Sequence, residues 1–119
     1  MHKTSHRLER LEALLLRELA LLLQSELEDP RVKSVTLTHA RVSPDLSHAK
    51  IYFITFNDDE AKNAEIGLNK AAHYLRKKIA ASVDLRVVPT FHFYYDQTLK
   101  QAQHVMDLIH QIPNSDEKK

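Results

Sequence analysis

Two groups of side chains in this sequence have types that could support chemistry: the histidines and a short hydroxyl-rich stretch. Eight histidines suggest a metal site, but none are paired three or four residues apart within one predicted helix, the spacing that brings two imidazoles to one ion. His104 and His110 are six residues apart and fall on different helix faces. We therefore expect no metal site and regard the histidines as scattered surface residues.

Ser43, Asp45 and His48 contain the residue types of a nucleophile, an acid and a base, but they are crowded into one predicted turn. A catalytic triad needs an oriented relay beside an oxyanion hole, and nothing nearby supplies that hole. The simplest role for Ser43 and Asp45 is to close the turn by bonding to the backbone. With one glycine, the chain also encodes no glycine-rich phosphate loop. We predict no catalysis and no cofactor.

Charge is unevenly distributed, although the formal net charge is only +1. Residues 57–66 carry a net negative charge, whereas residues 68–88 are rich in lysine and arginine and contain one acid, Asp84. A local excess of cations is the electrostatic signature of a polyanionic partner such as nucleic acid. The alternative is an ordinary solvated helix face. The candidate phosphate contacts in this segment are Lys70, Arg76, Lys77, Lys78 and Arg86.

Leucines at helical spacing predict a first helix over residues 5–28. Pro30 should stop this helix at Glu28 or Asp29, because the residue before a proline disfavours the α conformation. A leucine stripe this broad is most simply core packing. The alternative is a surface for a partner helix or for dimerisation, as in a protein-interaction adaptor.

Two stretches with the β-branched, period-two pattern of strands follow, at residues 35–42 and 49–56. Residues 44–47 between them have turn chemistry, so the two strands should form an antiparallel hairpin. Residues 61–83 then have helical periodicity, with a bend or break expected between Gly67 and His73 because glycine weakens a helix. Pro89 precedes an aromatic third strand, which places that strand at an edge or a bulge.

The predicted fold is therefore α+β, with a three-stranded sheet covered by helices on one face and a short last helix near residues 99–109. The 119 residues suffice for one domain, which we place at residues 1–112, followed by a disordered polar tail at 113–119. No apolar stretch approaches the roughly 20 residues of a membrane span, and there is no cysteine. A cytoplasmic monomer with no membrane partner is expected.

Several segments resemble the signature of the ribosome-binding factor A family. They are Asp29-Pro30-Arg31, residues 42–52, Leu75-Arg76, and residues 85–93 with Tyr95-Asp96, in the right order and spacing over residues 5 to 110. The resemblance implies a type II KH-like fold, α-β-β-α-kink-α-β. It also implies a protein that binds the free small (30S) ribosomal subunit and assists late maturation and 5′-end processing of 16S rRNA, notably in the cold, with no small-molecule substrate.

The sequence departs from the family pattern at Ala71-Ala72-His73, where the family typically has an Ala-x-Gly kink. Either His73 adopts the bend under strain or the bend is shallower, and the imidazole could instead stack on or bond RNA. Thr90 stands where the family usually has an acidic residue. The predicted RNA-contact residues are Lys70, His73, Arg76, Lys77, Lys78 and Arg86, extended by Arg31, Arg41 and Lys50. For Arg86 the alternative is an ion pair with Asp84 or Asp96.

Overall fold

The computed structural model describes residues 5–111, in which two long helices pack on one side of a three-stranded sheet. Along the chain the elements are α1 (Ser5–Ser25), β1 (Thr36–Val42), β2 (His48–Ile54), α2 (Ala61–Ser82), β3 (Thr90–Tyr95) and α3 (Thr98–Gln111). The central strand β2 is antiparallel to β1 and parallel to β3. The predicted α+β class and the hairpin are confirmed. The tail predicted at 113–119 lies outside the described residues.

One hydrophobic core lies between the sheet and the helices α1 and α2. The leucine stripe of α1 supplies Leu15 and Leu19, which are completely buried, and α2 supplies Leu68 and Leu75. The inward-facing side chains of the strands alternate with outward-facing polar ones, as expected of a sheet with one covered face. These inward residues are Ala40, Val42, Ala49, Ile51, Phe53, Phe91 and Phe93.

Helix α1 ends at Ser25, so the prediction that it continues to Glu28 or Asp29 is wrong. Asp29 has an extended backbone, with φ −71° and ψ 120°, and caps a short 3₁₀ turn at Pro30–Val32. Its carboxylate accepts the backbone N–H of Arg31 at 2.9 Å. The chain must leave the α conformation before Asp29 to make this cap, which the following proline also requires.

The hairpin turn lies where the sequence places it, and the second strand is shorter than predicted. Ser43 donates its backbone N–H to the carbonyl of His48 at 2.9 Å, and Leu46 adopts a left-handed φ of 65° inside the turn. Strand β2 ends at Ile54 and not at Phe56, whose side chain is 86% exposed. The Thr55 hydroxyl donates to the carbonyl of Asn57 at 2.7 Å, which turns the chain towards α2.

Helix α2 runs from Ala61 to Ser82 without interruption, so the break considered between Gly67 and His73 is not present. Gly67 serves close packing. A Cβ at this position would lie 3.3 Å from Val32 Cγ1 and 3.4 Å from Arg31 Cβ. The missing side chain therefore lets the 3₁₀ turn approach the helix, a role of glycine distinct from easing a bend.

Asn69 of α2 fastens the helix to the outer edge of β3. Its side-chain amide donates to the carbonyl of Phe93 at 3.0 Å, and its carbonyl oxygen accepts the Phe93 N–H at 2.9 Å. Strand β3 has no strand neighbour on this side, so Phe93 would otherwise have two unpaired backbone groups at a sheet edge. One side chain thus substitutes for a neighbouring strand.

Replacing Asn69 with alanine is expected to lower the free energy of unfolding by about 1–2 kcal/mol, because both Phe93 groups lose their partner. Urea denaturation followed by circular dichroism measures this change. The matched control is Asn63→Ala, at an exposed position of the same helix, which makes the same gain in helix propensity. Equal stability of the two variants would show that the Asn69 contacts contribute nothing.

Candidate nucleic-acid interface

The outward face of α2 is a cationic stripe formed by Lys70, His73 and Lys77. Their spacing of three and four residues places them on one side of the helix, and all three are exposed. Lys62 lies about three turns before His73 and therefore on the same side. Lys62 was missed from the sequence because it belongs to the acidic segment 57–66. Its helical phase relative to His73 was the signal that could have found it.

Two other predicted contacts in α2 are already engaged within the fold. Arg76 is half-buried, and its Nε donates to the carbonyl of Val88 at 3.0 Å, which holds the segment leading into β3. Lys78 Nζ lies 3.5 Å from the Glu26 carboxylate, which also accepts the Tyr74 hydroxyl at 3.0 Å. Arg76 is therefore held at Val88 by one of its donors, and the charge of Lys78 is partly balanced by Glu26, whereas Lys70 and Lys77 have no such partner within the described residues.

Arg31 is also paired. Its guanidinium donates to both carboxylate oxygens of Asp29, with the shortest contact, from Nη2, at 2.6 Å. These hydrogen bonds lower the pKa of Asp29 to about 2. The pair lies beside Gly67, where Arg31 contributes to packing against α2. Arg31 thus borders the helix, with its charge largely balanced.

The remaining predicted cations lie elsewhere. Arg41 and Lys50 are paired in register on the outward face of the sheet, away from α2, so the predicted patch is divided between two surfaces. Arg86 is exposed in the segment between α2 and β3 and makes no ion pair within residues 5–111. Asp96 instead accepts the Thr38 hydroxyl at 2.6 Å and the Thr98 N–H at 2.9 Å, which lower its pKa.

His73 borders a shallow groove between α2 and β3, together with Ala72, Arg76, Thr90 and His92. The backbone groups next to this groove are partly occupied, since Arg76 binds Val88 and Asn69 binds Phe93. A ligand in the groove would therefore meet the His73 imidazole and neighbouring side chains, because few backbone groups remain free to bind it. This position is compatible with the RNA contact predicted for His73.

Ser43 and Asp45 close the turn, as predicted. Asp45 accepts the hydroxyls of Ser43 at 2.8 Å and Ser47 at 2.7 Å, and these bonds lower its pKa to about 2. Ser43 Oγ accepts the backbone N–H of His48 at 3.1 Å. The His48 ring points to His92 instead, with Nδ1 to Nε2 at 3.2 Å. Imidazole and serine hydroxyl do not form a relay.

No three side chains of His, Cys, Asp or Glu among residues 5–111 converge in a way that would hold a metal ion. None of the helices described there combines the length and the apolar composition needed to cross a bilayer.

The element order, the mixed sheet and the cationic outer helix define a type II KH-like α+β domain. The model of the family described as ribosome-binding factor A matches residues 7–109. The chain belongs to the ribosome-binding factor A family.

Named relatives and solved structures agree with this assignment. The chain is 41% identical over 113 residues to ribosome-binding factor A of Legionella pneumophila strain Lens, covering 94% of this chain and 91% of the relative. It is 43% identical over 110 residues to that of Nitrosococcus oceani, covering 92% and 87%.

Among structures, the crystal structure of ribosome-binding factor A from Thermus thermophilus has a TM-score of 0.66 at 34% identity, covering 72% of this chain and 91% of that one. A homology model of the Thermus thermophilus factor, fitted into a cryo-EM map of a 30S complex, has a TM-score of 0.64 at 33% identity, covering 76% and 96%.

Proposed function

We propose that the protein binds the free small ribosomal subunit through 16S rRNA and assists its late maturation, including processing of the 5′ end, without catalysing a reaction. The observation that carries this proposal is the exposed cationic stripe of Lys70, His73 and Lys77 on a member of this family. The relative fitted into the map of a 30S complex supports the choice of partner.

The chemistry of the stripe suits a folded RNA surface. Lysine ammonium groups on flexible stems bind phosphates as point charges and release counterions, which gives affinity that falls with salt and little sequence readout. A factor that recognises the shape of a maturing subunit needs this kind of contact more than base-specific hydrogen bonds. We place the protein in the cytoplasm as a monomer that acts by binding the RNA and not by catalysis.

The burial of the leucine stripe counts against the adaptor alternative, dimerisation through the leucine-rich helix. Leu15, Leu19 and Leu23 of α1 are buried against the sheet and α2. On the described part of α1, Leu21 is the large apolar residue that is more than half exposed. Because the apolar stripe of α1 is buried in the core of its own domain, the helix has little apolar surface left for a partner.

Sedimentation of a tagged copy from lysate through a sucrose gradient tests the proposal. The protein should appear with free small subunits and be largely missing from assembled ribosomes, and raising the salt should release it. A distribution spread equally over both peaks that survives high salt would contradict a role in subunit maturation.

A further inference from the structure

The outward face of the sheet adjoins the α2 stripe at the β3 edge, where His92 and His73 line one groove, and extends from there over β2 and β1. Helices α1 and α2 pack on the inner face, where the strands bury their phenylalanines. On the opposite face the register places His39 beside Tyr52 and Tyr52 beside Tyr94. Three strands thus contribute one ring each to a single row, which we call the ring row.

The rings of this row contact one another, and the two outer rings are open to solvent while Tyr52 between them is half-buried. His39 and Tyr52 are stacked, with centroids 4.3 Å apart and planes at 17°, and Tyr52 and Tyr94 are 5.9 Å apart at 34°. Tyr94 is 40% exposed and the His39 side chain 39%. These rings form part of the surface and contribute little to the core.

The next row of the same face is cationic. Arg41, Lys50 and His92 are register partners, two residues along the strands from the ring row, and Arg41 and Lys50 are exposed. None of the three strands contains a carboxylate. The nearby Asp96 is buried, accepts the Thr38 hydroxyl, and lies 3.6 Å from His39 Nδ1.

We propose that this sheet face binds a single-stranded RNA segment, whose bases stack on the ring row while Arg41 and Lys50 hold its phosphates. The inference rests on the proposed function and adds a second contact surface to it. Exposed rings on a sheet stack successive bases in other single-strand binding modules, and the contact tolerates any base because each has a π-face. Two exposed cations on strands that contain no carboxylate are the electrostatic signature of a polyanion, and this favours RNA over a protein partner.

The test measures the binding of a labelled single-stranded RNA of about eight nucleotides by fluorescence anisotropy, over a range of salt concentrations. Tyr52→Leu with Tyr94→Leu should weaken binding roughly 25-fold or more, because each lost stacking contact costs about 5- to 150-fold. The dependence on salt should stay the same, since no phosphate contact is lost. Tyr52→Phe with Tyr94→Phe keeps the rings and should bind like the parent.

An abasic ribose-phosphate chain of equal length is the matched probe. The parent and the double leucine variant should bind it alike, because it has no bases to stack. Replacing Arg41 and Lys50 with alanine should instead weaken binding of both probes and lower the slope of log affinity against log salt by roughly 1.4–1.8.

Unchanged RNA affinity of the folded leucine variant would overturn the inference. The proposed function is tested separately, by whether the parent protein sediments with the small subunit. Unchanged RNA affinity with loss of sedimentation would assign the face to a protein of the subunit and would also overturn it. If the leucine variant fails to fold, ultraviolet cross-linking of the parent decides. Cross-links within residues 48–54 or 90–95 support the inference, and cross-links confined to α2 contradict it.

Discussion

Replacing Lys70 and Lys77 together with alanine is expected to weaken binding to small-subunit RNA by roughly 25- to 60-fold at 0.1 M salt. Each lysine that neutralises a phosphate contributes about 0.7–0.9 to the slope of log affinity against log salt, so the double variant should lose about 1.4–1.8. Both side chains are exposed, and neither makes an ion pair within the described residues. Their removal should leave the melting temperature nearly unchanged.

The matched control removes the same amount of charge from another helix. Arg7 and Arg10 are exposed on α1, and their double alanine variant has the same net charge as the lysine variant. The arginine variant should keep most of the parent's slope of log affinity against log salt. If the arginine variant lost the slope and the lysine variant kept it, the RNA-binding surface would lie on α1 and the α2 stripe would be an ordinary solvated face.

A comparison of two neighbouring lysines in α2 distinguishes a lysine that is free to bind phosphate from one that is already paired with a carboxylate. Lys78→Ala should flatten the salt dependence less than Lys77→Ala, because Lys78 already lies 3.5 Å from Glu26. From the sequence the two lysines are equivalent neighbours. Their difference arises from Glu26, which directly follows α1 in the chain and is brought to α2 only by the packing of α1.

Local patterns predicted the parts of the fold that local physics determines. Period-two alternation and the turn residues 44–47 located the hairpin, because side-chain direction and turn conformation depend on near neighbours. The leucine spacing of α1 located its buried face for the same reason. The predicted end of α1 was too late in the chain because the Asp29 cap on the 3₁₀ turn competes with one more turn of α-helix. Helix propensity alone does not show which of these two conformations is more stable.

The candidate site was less predictable because it depends on tertiary contacts. Gly67 suggested a bend, but its environment is the Arg31–Val32 turn, which approaches it from elsewhere in the chain. The ring row was missed for a similar reason. Tyr52 and Tyr94 become neighbours only through the parallel pairing of β2 with β3, which are separated by the whole of α2.

The leucine stripe of α1 permits a sharp test of core packing against dimerisation. Leu19 is completely buried, whereas Leu21 on the same helix is 52% exposed. Leu19→Ala should lower the free energy of unfolding by about 3–5 kcal/mol, because a buried leucine loses its transfer free energy and leaves a cavity. Leu21→Ala should change it by no more than about 0.5 kcal/mol.

Urea denaturation of both variants and the parent at two protein concentrations a hundredfold apart measures this difference. If α1 packs in its own core, the loss in Leu19→Ala should be the same at both concentrations, because unfolding of a monomer does not depend on concentration. A dimer held by this stripe would be more stable at the higher concentration, and the variant would reduce that dependence. Concentration-dependent midpoints in the parent, abolished by Leu19→Ala, would therefore replace the core assignment with an interface.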